Sequence, residues 1–80
     1  MSEVIDSEMD AILEIIKRVS GLATVTPDED FYDAGVASVQ ALPLLLDLES
    51  EFSVTISDEQ FLAARSARAL HQMIAVLRTK

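Results

Sequence analysis

Apolar residues recur along this chain at three- and four-residue intervals, and they do so in three separate stretches. In the first, about Glu3 to Ser20, the residues Ile5, Met9, Ile12, Leu13, Ile15, Ile16 and Val19 share one side of a helical wheel. Asp6, Asp10, Glu14, Lys17 and Arg18 fall outside it. Gly21 is a natural stop. Residues 22–37 have no such periodicity; they read as a long connection with a turn at Thr26-Pro27-Asp28, pinned to the core by Phe31. A second helix is predicted from Ser38 to about Phe52, followed by a turn over Ser53 to Ser57. Ser57-Asp58-Glu59-Gln60 then reads as the cap of a short helix reaching about Ala63. The last helix starts after Ser66 and directs Ala67, Leu70, Met73, Ile74 and Leu77 inward. No alternating strand pattern competes. The expected fold is all-α: a small four-helix bundle, three main helices and one short one, with a long loop between helices 1 and 2.

The second helix carries two apolar surfaces. Ala41, Leu44, Leu45, Leu48 and Phe52 occupy an arc of roughly 100°, the usual width of a core stripe. Val39, Leu42 and Leu46 lie off that arc at i, i+3 and i+7, among Pro43, Asp47, Glu49 and Ser50. Either they widen the core contact, or they form an apolar docking strip with an acidic rim that includes Asp47, Glu49 and Glu51. The second arrangement matches the division of interfaces into anchoring and steering parts.

Composition narrows the field. Eighty residues, half of them hydrophobic, make one domain (residues 1–80) with one modest core. With no cysteine there is neither a disulfide framework nor a thiolate metal cluster. No run of eighteen apolar residues and no basic N-terminal stretch appear, so a soluble, cytoplasmic protein is expected. A monomer is expected as well. The net charge is −8, and its distribution matters more than its size. From Val19 to Ala64 there are nine acidic residues and no Lys or Arg. Such a surface repels nucleic acid and anionic membranes and favours partners with basic patches.

Enzyme constellations fail one by one. Ser38 as a nucleophile would need a neighbouring base. The only histidine, His71, lies on the last helix at the edge of its apolar face and reads as a boundary packing residue. Val36 and Gln40 rule out a G-x-S-x-G elbow around Ser38. The acidic run Asp28-Glu29-Asp30-Phe31-Tyr32-Asp33 does not make a calcium loop: with Asp28 first, Asp33 stands where glycine is needed and Val39 where the bidentate Glu belongs. These carboxylates read as a solvated loop surface, and no catalytic or metal-ligating set is expected. By itself Ser38 reads as a helix cap, although position 41, where a full capping box wants Glu or Gln, is Ala.

The run Phe31-Tyr32-Asp33-Ala34-Gly35-Val36-Ala37-Ser38-Val39, continued by Leu44, Leu48, Glu49, Glu51-Phe52, Ile56 and Asp58-Glu59, resembles the carrier proteins of fatty-acid, polyketide and peptide synthesis. In that family an F-x-x-L-G-x-D-S-L pattern leads into a helix ending in E-x-E-F or similar, and the order of helices agrees over about residues 8 to 78. The resemblance implies that Ser38 accepts 4′-phosphopantetheine from coenzyme A and that an acyl or aminoacyl cargo rides on the arm as a thioester. It implies as partners a phosphopantetheinyl transferase, an acyl- or amino-acid-activating ligase, and a downstream acyltransferase or synthase with basic docking patches. Catalysis then belongs to the partners, and Val39, Leu42, Leu46, Asp47, Glu49 and Glu51 are the candidate docking residues.

Four positions depart from the family pattern. Ala37 stands where the fatty-acid carriers usually have Asp, Ala34 where a larger apolar residue is usual, and Val39 where Leu is usual. Pro43 falls about five positions into the second helix, where proline typically costs ~3 kcal/mol, and predicts a kink or a loosened first turn beside Ser38. The departures point to a specialised carrier with aminoacyl or secondary-metabolism cargo, not the housekeeping fatty-acid carrier. The chain begins with Met1 and ends soon after the last helix, as expected of a discrete protein. The alternative is an unmodified helical interaction module that keeps the acidic and apolar surface of helix 2 without the arm.

Overall fold

The helical spacing of isoleucines at the start of the chain produces α1 (Glu3–Ser20) in the computed structural model, which describes residues 3–79, with side chains from residue 7 onward. Ile12, Ile15 and Ile16 are buried along its inner face, with Met9, Leu13 and Val19 packed half-buried beside them. Ile5 and Asp6 lie outside the described side chains. Gly21 ends the helix at φ +80°, donating its N–H to the Lys17 carbonyl at 2.7 Å. That left-handed conformation is one only glycine adopts cheaply.

The connection that follows is more structured than its sequence predicts. Phe31–Ala34 form a single helical turn, α2, capped by Asp30, whose Oδ1 accepts from the Tyr32 N–H at 2.9 Å and the Asp33 N–H at 3.1 Å. Four residues are too few for periodicity to register, so the sequence predicts only a loop here. Phe31 is fully buried, as expected.

The acidic run faces solvent as expected, with Asp28 and Asp33 exposed, but three of its four carboxylates are engaged. Asp28 pairs with Arg68, Asp30 pairs with Arg65 at 2.6 Å, and Glu29 Oε1 accepts from the Thr26 N–H at 2.7 Å. Two backbone bonds complete the seam, Phe31 N–H to the Arg65 carbonyl and Arg68 N–H to the Pro27 carbonyl, both at 2.9 Å. The carboxylates are drawn to the first arginines after the long base-free stretch.

A 3₁₀ turn (Ser38–Gln40) runs into α3 (Ala41–Phe52). Its core residues are Leu44, Leu45 and Leu48, with Ala41 and Phe52 half-buried. The loosened first turn predicted from Pro43 is this 3₁₀ turn. The cost expected of Pro43 does not apply, because it is the third residue of α3, and the first four N–H groups of a helix lack intrahelical partners anyway. Ser53, left-handed at φ 56°, ends α3. Ser57 caps α4 (Asp58–Ala63) with both halves of a capping box: its Oγ accepts from the Gln60 N–H, and Gln60 Oε1 accepts from the Ser57 N–H. Ser66 caps α5 (Ala67–Arg78) through the Ala69 N–H.

α1 lies against both α3 and α5. Phe31, Ile12, Ile16, Leu44, Leu48, Leu70 and Ile74 are enclosed at the centre. At the far side, Glu8 of α1 accepts from His71 at 3.0 Å and from Arg78, so half-buried His71 bridges two helices at the edge of the core. The fold is all-α: three main helices with α2, α4 and the 3₁₀ turn between them. Among the described residues no helix is long and apolar enough to cross a membrane.

Candidate functional site

Ser38 is placed by what surrounds it in sequence. Val36 is buried and donates its N–H to the Phe31 carbonyl at 2.9 Å, fixing the chain to the core two residues earlier. Ala37, Ser38 and Val39 then turn outward and are exposed. Ala37, extended at φ −79° and ψ 150°, occupies the cap position, and Ser38 is the first residue of the turn. The plain reading of Ser38 as a cap is therefore off by one residue, and capping makes no use of its hydroxyl. The acceptor that a capping box calls for is Gln40, counted from Ala37: its Oε1 accepts from the Ala37 N–H at 2.8 Å. Alanine has no side-chain acceptor to return, so only half the box forms. The Ser38 carbonyl accepts from the Ala41 N–H, so the backbone is held on both sides of the serine while the side chain faces solvent.

Two shallow clefts meet at Ser38, and Ala41 and Leu62 line both. One, of about 300 Å³, is otherwise walled by Leu42, Leu45, Phe61 and Asp58. The other, of about 420 Å³, is walled by Tyr32, Val36 and Arg65. In the second, the Arg65 guanidinium carbon stands 4.8 Å from the centroid of the Tyr32 ring. The Asp30 carboxylate beside Arg65 raises the guanidinium pKa above its ordinary value, and Arg65 in turn lowers that of Asp30. The Tyr32 hydroxyl is buried with no hydrogen-bond partner, and burial pushes the phenol pKa up.

Val39, Leu42 and Leu46 are 83%, 61% and 54% exposed, so they do not widen the core contact. Leu62 of α4, 63% exposed, stands with Leu42 on the wall of the first cleft. Leu62, Asp58 and Arg65 are not among the site residues expected from the sequence. The sign for Leu62 was present: in a helix as short as α4, Phe61 takes the inward position and its neighbour must face elsewhere. Of the three rim carboxylates, Glu51 is exposed, Asp47 pairs with Arg18 of α1 at 3.3 Å, and Glu49 Oε2 accepts from the Ile56 N–H at 2.8 Å. Asp47 and Glu49 thus also hold α3 to its neighbours.

Residues 10–74 match the phosphopantetheine attachment site family, and the chain belongs to it. This is a family of non-catalytic carrier domains, which phosphopantetheinyl transferases modify. Among solved structures, the chain is similar to the solution structure of an active-site mutant of a peptidyl carrier protein. The TM-score is 0.81 and the identity 22%, over 92% of this chain and 81% of that one, which establishes a shared carrier-protein fold. Among curated proteins none matches by sequence. The local geometry fits the group: an exposed hydroxyl unused in capping, a backbone held on both sides, and open space on two flanks.

Proposed function

We propose that Ser38 is the attachment residue and that the chain is a carrier for an acyl or aminoacyl thioester. The observation that carries this reading is the solvent-facing Ser38 hydroxyl, uncommitted to the cap, at the junction of two clefts. Modification forms a bond from Ser38 Oγ to the phosphorus that carries pantetheine, breaks the pyrophosphate bond of coenzyme A with adenosine 3′,5′-bisphosphate leaving, and passes the serine proton to a base of the transferase. When bound, the group supplies the thiol that takes cargo as a thioester. The chain supplies the Ser38 hydroxyl as nucleophile, the anchored turn, the open flanks and a surface for partners; the base belongs to the transferase.

The docking surface in this reading is the strip Val39, Leu42 and Leu46, extended by Leu62, with Glu51 as the most available carboxylate of the rim and Asp47 and Glu49 behind it. It fits the basic patches of a transferase, an activating ligase and a downstream acyltransferase or synthase. The cargo in this reading is short, aminoacyl or a small secondary-metabolism acyl group. The filled centre around Phe31, Leu44, Leu48, Leu70 and Ile74 supports this, since a long apolar chain would have to displace those side chains.

The test is intact mass, before and after incubation with coenzyme A and a broad-specificity transferase. A gain of one phosphopantetheine that maps to Ser38 and disappears in Ser38→Ala is expected. No gain there or in the native host would overturn the reading and leave an unmodified interaction module.

A further inference from the structure

The two flanks of Ser38 differ in charge. The cleft toward α4 is rimmed by Asp58, and its other walls, Leu42, Leu45, Phe61 and Leu62, are apolar. The cleft toward α2 contains Arg65, the first basic residue after forty-six positions without one, Val19 to Ala64. Arg65 is held in place there three ways. Its carbonyl accepts from the Phe31 N–H, its Nε donates to Asp30 at 2.6 Å, and its guanidinium lies over the Tyr32 ring. A guanidinium carries five N–H donors in a rigid fork, and the single bond from Nε leaves the two terminal amino groups unspent on Asp30. Asp30 is itself shared, since its other oxygen accepts from the Tyr32 and Asp33 N–H groups.

We propose that Arg65, seated on Tyr32, is the counter-ion for the phosphodiester that modification creates at Ser38, and that the charge difference between the flanks sends the arm out along the α2 side. The inference rests on Ser38 as the attachment residue. A phosphodiester on Ser38 is a permanent anion fixed at the mouth of both clefts, and of the two walls one repels it and the other offers planar donors. Arg65 is thereby a positioning residue, and the apolar cleft beside Leu42 and Leu62 stays open for partners.

The experiment uses the full chain with and without the arm, with modification confirmed by mass. The ³¹P resonance of the holo protein and the Arg65 side-chain ¹⁵N resonances are recorded for wild type, Arg65→Gln, Arg65→Lys and Asp58→Asn. The expected result is that conversion from apo to holo moves the Arg65 resonances. Arg65→Gln should shift the ³¹P line and narrow it as the phosphate loses its restraint, Arg65→Lys should give a partial change, and raised salt should move the wild-type line the same way. Asp58→Asn removes the repelling wall but leaves Arg65 in place, so it should shift the ³¹P line less than Arg65→Gln does. Backbone spectra verify that each variant is folded, and Arg65→Lys, which keeps a cation for Asp30, serves if Arg65→Gln is not. A ³¹P line unchanged by loss of the guanidinium, with Arg65 unmoved on modification, would mean a purely structural arginine and sink the proposal while leaving Ser38 as attachment residue. Absence of any mass gain removes both.

Discussion

Gln40 ties the turn that carries Ser38 to the end of α1: its Nε2 reaches the Ser20 carbonyl at 3.5 Å while its Oε1 accepts from the Ala37 N–H at 2.8 Å. One side chain thus links the residue before Ser38 to a helix twenty residues back. Replacing it should loosen the turn without emptying the core. Gln40→Ala is expected to cost about 1 kcal/mol, the typical worth of a helix cap, by urea unfolding. It should also slow modification of Ser38 in a mass-detected assay. Gln40→Glu keeps the acceptor for Ala37 and loses the donor to Ser20, so it should fall between the two. Unchanged stability in Gln40→Ala would show that the turn holds its shape from the backbone alone.

Gly35 makes a second test of how Ser38 is placed. At φ +135° and ψ 0° it holds a conformation that L-residues rarely adopt, and a Cβ there would lie 2.8 Å from Leu22 Cδ2. The leucine methyl can swing aside; the backbone cannot. Gly35→Ala should therefore destabilise by about 1–3 kcal/mol, the usual range for such strain. Adding Leu22→Ala should not recover the loss. Recovery in the double variant, measured by urea unfolding, would show that the side-chain clash dominates.

Acid should loosen the protein at two seams. Hydrogen bonds from Arg78 and His71 lower the Glu8 pKa, one from Arg68 lowers that of Asp28, and one from Arg65 lowers that of Asp30. A carboxyl group whose folded pKa is depressed gives stability that is fully present above its unfolded value, about 4, and is lost as the pH falls through the folded value. Stability should thus be flat down to about pH 5 and decline below it. Glu8→Gln should flatten part of the acid limb in a series of urea titrations; an acid limb as steep as wild type would mean that Glu8 is equally depressed in the unfolded chain.

The exposed strip separates folding from binding. Leu42→Asp and Leu46→Asp change side chains that face solvent, and should alter stability by no more than about 0.5 kcal/mol. Titration against a purified transferase should show binding weakened at least tenfold. Glu51→Lys should weaken it too, and more at low salt. Asp47→Lys is a less clean probe, because it also sets a lysine beside Arg18. Full affinity in both leucine variants would remove α3 from the interface.

Much of this architecture was legible before any coordinates. The α1 stripe, the core face of α3, the capping box at Ser57 and the inward residues of α5 depend on spacing and on near neighbours, and those are local properties of a chain. That Val39, Leu42 and Leu46 leave the core stripe of the second helix was legible too, but only their exposure in the folded protein decided that they do not widen the core contact. The family pattern around Ser38 was equally plain in the order of residues. What stayed hidden was either too short to show a period, as with α2, or dependent on a shift of one residue, as with the cap at Ala37.

The order of side chains by itself determined an all-α chain with one core stripe per long helix, a serine at the head of the second, and a surplus of acid between Val19 and Ala64. Only the tertiary structure decided which acids remain available. It brought Arg65 and Arg68 to Asp30 and Asp28 across some forty residues, Arg18 to Asp47, and Gln40 to Ser20. Charge counted along a sequence is blind to such pairings, since Coulomb energy depends on distance in space and the packing of α1, α3 and α5 sets that distance. The same packing opened two unlike clefts at Ser38, one rimmed by Asp58 and one by Arg65, because their walls come from segments that meet only in the folded protein.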